Sequence, residues 1–270
     1  MRFVLYNIRY GTGSGWHFHL PLPFSGYFRR PQGKLETLSG FLRSLDPDII
    51  GLVEVDNGSY LTEKVNQAAV LARDLGFAHV YESKYSHSSL ARRVPVLKAQ
   101  GNAFLTNQRI EARDFHYFDK GIKRLVIELE FSNFVIFLVH LSLKYRHRQY
   151  QLSDLYSMFA AVNKPMLVAG DFNVLWGDRE LHLFMAASGL VNANQRGAPT
   201  FPSWSPRREL DFILHSPEIK VSRFSVPQVR FSDHLPIVCD FEIAGTAAAK
   251  PVERRRNGRP AARAPMRMAR

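Results

Sequence analysis

Six apolar runs of strand length in this 270-residue chain meet, at or near one end, a polar residue able to do chemistry. VLY stops at Asn7, DIIGLV at Glu54 and FVIFLV at His140. MLVAG runs into Asp171 and Asn173, Asp211 sits inside ELDFIL, and Asp233 and His234 precede LPIVCDF. A carboxylate or imidazole at the end of a buried strand is costly unless it is paired, hydrogen-bonded or bound to a metal. Taken singly, each has a blander reading. Asn7 would cap a turn, Asp171 in GDFN would make an Asx-turn, and Asp211 would cap a loop. Glu54 would sit in a salt bridge, His140 would be a satisfied core histidine, and Asp233 would pair with an arginine. Together they suggest one polar site at a sheet edge.

Helical and strand patterns alternate through the chain. Leucines 35, 38, 42 and 45 recur at helical spacing over residues 33–45, with Pro47 just beyond. Further helices are expected over 61–75, 149–162 and 179–188, the last ended by Gly189. Strands are expected at 2–7, 48–53, 101–105, 125–130, 133–141, 166–169, 209–214, 220–226 and 237–241, with a hairpin turn at 130–133. The elements intermix with no internal repeat and no linker before residue 245. This predicts one α/β domain over 1–244, with a mixed rather than wholly parallel sheet set.

Composition bounds the function class. A lone cysteine, Cys239, excludes an intrachain disulfide framework, and no cysteine cluster exists to hold zinc. The opening MRFVLYNIRYG does not read as a signal peptide, and no apolar run approaches the roughly 18–20 residues of a membrane span. A cytoplasmic monomer is the expectation. Much of the +12 net charge lies in the Ala/Pro/Arg-rich tail 245–270, which carries eight basic residues against Glu253 alone. Such a segment is expected to be disordered: either a solvated end or an electrostatic arm for an anionic polymer or membrane. Residues 10–31, rich in Gly, Pro and aromatics, directly follow Asn7 and should overhang the site.

VLYN, LVE, VHLS, GDFN, LDFIL and SDHLPI follow one another in an order that resembles the endonuclease/exonuclease/phosphatase superfamily. Deoxyribonuclease I, exonuclease III-type AP endonucleases, neutral sphingomyelinases and inositol-polyphosphate 5-phosphatases belong to it. The resemblance spans residues 7–241 and implies a four-layer α/β sandwich, two mainly antiparallel sheets face to face with helices outside. It implies that Glu54 is the main metal-binding carboxylate, with Asn7 its companion and Asp233 a further metal-side acid. It also implies that His234 is the catalytic histidine backed by Asp211, and that Asp171 and Asn173 orient water and contact the scissile phosphate. His140 takes the position that hydrogen-bonds a phosphate oxygen. Hard oxygen donors without thiolate suit Mg²⁺ or Mn²⁺. Either His234 or Asp171 would serve as general base. Asn102, in GNAFLTN, reads more readily as a strand-start residue than a catalytic one. Arg146 and Arg148 either reach substrate phosphate or form a solvated helix face, and Glu82 matches too poorly to be paired with His140.

A divalent-metal-dependent phosphoesterase is therefore expected, acting on nucleic acid in preference to phospholipid. A sphingomyelinase-like, phospholipase C-like or inositol-phosphate activity is the alternative. A non-catalytic binding protein ranks last, because Glu54, Asp171, Asn173, Asp211 and His234 are all present.

Overall fold

A computed structural model describes residues 1–13, 34–86, 94–121 and 123–244. The tail 245–270 and most of the 10–31 insertion lie outside the described residues.

Sheet order follows directly from which strands are apolar on both faces. In chain order the elements are β1 (Arg2–Asn7), α1 (Lys34–Ser44), β2 (Ile49–Asp56), α2 (Gln67–Leu75), β3 (Ala78–Ser83) and α3 (Pro95–Lys98). There follow β4 (Gln100–Thr106), β5 (Ala112–Tyr117), β6 (Leu125–Glu130), β7 (Val135–His140), α4 (Tyr145–Phe159) and β8 (Met166–Asp171). The chain closes with α5 (His182–Ser188), β9 (Val191–Asn192), β10 (Asp211–His215), β11 (Ile219–Ser225) and β12 (Ile237–Ile243). One six-stranded sheet has the order β11-β12-β1-β2-β4-β3 and the other β5-β6-β7-β8-β10-β9. Each contains a single parallel pair, β1/β2 in the first and β7/β8 in the second; the other pairs are antiparallel. Helix α4 makes the crossover between β7 and β8, as a parallel connection requires.

The period-2 alternation of a strand sorts its side chains into layers. Phe3, Leu5, Ile49 and Phe104 of the first sheet meet Ile127, Leu138, Leu167 and Ile213 of the second in a shared central core. Their neighbours Val4, Tyr6, Ile50 and Leu52 face outward onto Leu38, Leu42 and Leu71 of α1 and α2. On the opposite side Phe137, Val139 and Val168 pack on Leu152, Leu155 and Phe159 of α4 and Phe184 of α5. The result is the four-layer sandwich expected from the sequence. The central strands are covered on both faces, which is why they read as unbroken apolar runs.

Three strands absent from the sequence reading, β3, β5 and β9, all lie at or next to sheet edges. AHVYES and ARDFHY are half exposed and carry no continuous apolar signal. Two helix boundaries also differ. The expected 61–75 helix divides into a 3-10 turn at Tyr60–Thr62 and α2, whose N-cap Asn66 accepts from the Ala69 amide. Helix α4 begins four residues earlier than its apolar period implies, because its first turn carries the exposed Tyr145 and Arg146.

Candidate active site

The two parallel pairs end on the same polar cluster. Asn7 closes β1 in register with Val53, the residue before Glu54. His140 and Asp171 are register partners at the ends of β7 and β8, and Asp211, opening β10, pairs with Asp171 from the other side. Open α/β sheets bind ligands beyond the carboxyl ends of their parallel strands, and here two such ends face each other. The Asn7 side-chain amide donates to Asp171 Oδ2 at 3.1 Å, joining the first sheet to the second.

Local backbone devices aim these side chains. The β2/β4 register slips between Leu52 and Val55, and Glu54 adopts a positive φ of 57° within that irregularity. Its amide donates to Asn102 Oδ1 at 3.3 Å, so Asn102 holds the bulge that turns Glu54 into the site. Gly170, just before Asp171, has φ +154°, and a Cβ there would lie 1.9 Å from the Val139 carbonyl oxygen. Only glycine lets β7 and β8 approach this closely beside His140 and Asp171. Asn173, at φ 53°, donates its amide to Asp171 Oδ1 at 3.0 Å and its side-chain NH₂ to the Leu141 carbonyl at 3.0 Å. The Asx-turn expected of GDFN is present, and it fixes the Asp171 side chain.

His234 is delivered by the loop before β12. Ser203 donates from its amide to the Asp233 carbonyl (2.7 Å) and from its hydroxyl to the Ser232 carbonyl (2.6 Å). The Phe201 ring packs on the His234 ring with centroids 4.9 Å apart. His234 Nδ1 lies 2.7 Å from Asp211 Oδ2, which also accepts from the Thr200 hydroxyl at 2.7 Å. The other ring nitrogen, Nε2, faces Asp171 Oδ2 at 3.9 Å. Asp233 is engaged elsewhere: its Oδ2 pairs with Arg9 at 3.2 Å and its Oδ1 accepts from Ser232 at 3.1 Å.

Burial opposes charge throughout this cluster, and the partners decide the outcome. For His234, burial lowers the pKa, but Asp211, Asp171 and Asp233 outweigh it and push it up to about 10. Asp211 is pushed up by burial, against the pull of His234 and with Asp171 adding to the rise. Asp171 is likewise penalised by burial, yet His140, His234 and Lys123 hold it well below the usual carboxylate range. His140 is pushed down by burial and by Lys123, against Asp171 and Glu54, and is neutral near pH 7. Glu54 stays ionised because Lys123, His140 and Lys84 override its burial.

Two of these cations escaped the sequence reading. Lys123 contacts His140 Nε2 and lies 3.8 Å from Glu54 Oε1. Lys84, at the end of β3, donates to the Tyr10 hydroxyl at 2.9 Å. Neither belongs to a periodic or motif-like stretch, so no sequence signal marked them. The arginine pair also resolves. Arg146 is exposed beside Tyr150, whereas Arg148 is fully buried. It donates to the Ser142 and Leu143 carbonyls and pairs with Glu180, which accepts from the Trp176 amide. That ion pair ties the loop after His140 to the loop after Asn173 and is neither a solvated face nor a phosphate ligand. Glu82 accepts from the Tyr117 hydroxyl.

A divalent cation can be accommodated here on the residues' own chemistry. His140 Nε2 has Glu54 Oε1 at 3.9 Å and Asp171 Oδ2 at 3.3 Å, with Asn7 hydrogen-bonded to the latter, so hard oxygens converge from both sheets. Asp171, Asp211 and His234 also place potential ligand atoms within 4.8 Å of one another, and Asp211 Oδ1 has no hydrogen-bond partner among the described residues. No helix among the described residues is long and apolar enough to cross a membrane.

Similarity to solved structures extends over nearly all of the chain. A functionally unknown conserved protein from Enterococcus faecalis superposes with a TM-score of 0.68 at 16% identity, covering 90% of this chain and 100% of that one. A mannosyl-6-phosphatase from Bacteroides thetaiotaomicron gives 0.66 at 16% identity, with 90% and 100% covered. The human Nocturnin catalytic domain with bound sulfate gives 0.65 at 21% identity, with 90% and 94% covered. No curated protein sequence matches significantly. The family model described as "Endonuclease/Exonuclease/phosphatase family" matches residues 4–234, a span running from β1 to His234 itself, and the chain belongs to that family.

Proposed function

We propose that this protein is a Mg²⁺- or Mn²⁺-dependent phosphoesterase that hydrolyses its substrate by in-line attack of water, with nucleic acid as the favoured substrate class. The observation that carries the reading is the convergence, in one buried cluster, of Asp171 and the hydrogen-bonded His234–Asp211 pair, with His234 Nε2 3.9 Å from Asp171 Oδ2. Strand ends from both sheets do not gather paired acids and imidazoles for the sake of stability alone.

Asp171 accepts the proton of the attacking water, since its Oδ2 faces both the Asn7 amide at 3.1 Å and His234 Nε2 at 3.9 Å. His234, as imidazolium, donates through Nε2 to a non-bridging phosphate oxygen, while Asp211 fixes the ring through Nδ1. Asn173 keeps Asp171 in place through its amide. His140 donates to a second phosphate oxygen. Glu54 and Asn7 hold the cation, which when bound neutralises charge developing on the phosphate oxygens. Asp233, engaged by Arg9, serves that side through its field. The net charge of +12 supports an anionic polymer as substrate.

The test is hydrolysis of plasmid DNA, abasic duplex, RNA, sphingomyelin vesicles and small phosphomonoesters with Mg²⁺ or Mn²⁺, beside EDTA and His234→Ala controls. EDTA-sensitive cleavage of nucleic acid, lost in His234→Ala, is the expected result. Cleavage that survives EDTA and the variant would overturn the mechanism, and cleavage confined to lipid would overturn the substrate class.

A further inference from the structure

The acids of the site have more positive company than its proposed chemistry uses. Lys123 lies within ion-pair distance of Glu54, at 3.8 Å, and it also contacts His140 Nε2. Lys84 is a second ammonium on the same flank. It lies close enough to Glu54 and Lys123 for one to favour and the other to oppose its charge, while burial pushes it down to about 8. Its hydrogen bond is to the neutral Tyr10 hydroxyl at 2.9 Å, and it sits over the Tyr10 and Tyr85 rings at 5.5 and 5.3 Å. Among the described residues no carboxylate lies within ion-pair distance of Lys84.

An ammonium that is mostly removed from water without a counter-ion is expensive, and among the described residues Glu54, 3.8 Å from Lys123, is the one carboxylate within ion-pair distance of either lysine. Tyr10 is held for this contact by its own backbone: it sits at φ 56°, and its carbonyl accepts from Gln67 Nε2 at 2.7 Å. A hydroxyl 2.9 Å from one ammonium, on the same flank as a second ammonium in contact with His140, is a donor set suited to an anion. We propose that Lys84, Lys123 and the Tyr10 hydroxyl bind phosphate charge beyond the single negative charge of an isolated phosphodiester. The inference rests on the phosphoesterase reading and narrows its substrate class. The extra charge comes either from the second ionised oxygen of a phosphomonoester or from a neighbouring phosphate of a nucleotide or nucleic acid.

The first measurement does not depend on turnover. Inorganic phosphate is titrated by calorimetry into the full chain in EDTA, so that only the protein's own cations contribute. Lys84→Met is expected to weaken phosphate binding by about tenfold, with Lys84→Arg restoring it. Unchanged affinity in Lys84→Met, with its melting temperature retained, would overturn the subsite. The second measurement separates the two sources of charge. The ratio of kcat/KM for p-nitrophenyl phosphate over bis(p-nitrophenyl) phosphate, and that for a dinucleotide with over without a 5′-phosphate, are compared in wild type and Lys84→Met. A fall of about tenfold in the first ratio assigns the subsite to the scissile group's own charge, and a fall in the second assigns it to a neighbouring phosphate. Two unchanged ratios reject it. A wild type inactive on all four compounds would count against the phosphoesterase reading, while the EDTA titration would still decide the subsite.

Discussion

The two sheets share one plan and use it differently. Each has six strands, four antiparallel pairings and one central parallel pair whose ends reach the site. The second sheet delivers its groups in plain register: His140, Asp171 and Asp211 lie side by side on β7, β8 and β10. Adjacent strands are close enough for those groups to set one another's charge, and the cluster is buried and imidazole-rich. The first sheet delivers Asn7 in register but Glu54 only through a slip in the β2/β4 pairing. Glu54 then answers mainly to lysines from loops and edge strands. The lesson is that plain register brings His140, Asp171 and Asp211 together, whereas a slip in pairing turns Glu54 toward them.

That contrast is broken most severely at the buried Asp171–Asp211 pair of the second sheet, to which the loop before β12 of the first sheet adds His234. Changing His234 to Ala should lower kcat by about 10³-fold, within the span typical of a lost acid–base group, with circular dichroism unchanged. Steady-state kinetics within tenfold of wild type would remove His234 from the mechanism. On the first-sheet side, Glu54→Gln should raise the Mg²⁺ concentration for half-maximal activity by at least the roughly 10–100-fold that losing an outer partner costs. Asn102→Ala should move the same titration in the same direction by less, because it loosens the bulge without removing the carboxylate. A larger effect from Asn102→Ala than from Glu54→Gln would invert the assignment.

Stability sharpens the comparison further. Phe137, fully buried between the second sheet and α4, should cost about 3–5 kcal/mol when changed to Ala, read by urea denaturation. A further readout is the pH dependence of the His234–Asp211 pair. His234 is raised from 6.5 to about 10 in the folded state, so its stabilisation is fully present below pH 6.5 and is lost as pH rises toward 10. The stability difference between wild type and Asp211→Asn should therefore shrink over that window. A difference that grew with pH would mean that the His234–Asp211 pair is not held protonated.

Much of this was legible before any coordinates. Apolar runs ending on Asn7, Glu54, His140 and Asp171 announced four central strands, since strands covered on two faces must be apolar along their length, though not which of them pair in parallel. Edge strands β3, β5 and β9 were not legible, because half-exposed strands such as AHVYES need no continuous apolar pattern. Lys84 and Lys123 were invisible for a related reason: a cation's role depends on which acid lies opposite it, and their neighbours come from distant parts of the chain.

The sequence by itself thus determined the layers, the family and the set of acids and histidines, because each is written in local residue pattern and motif order. Only the tertiary structure decided which partner each charge faces. It committed Asp233 to Arg9, sent Arg148 inward to Glu180, and set two lysines beside Glu54. Charge states follow from distance and burial, and neither is a property of any single stretch of chain.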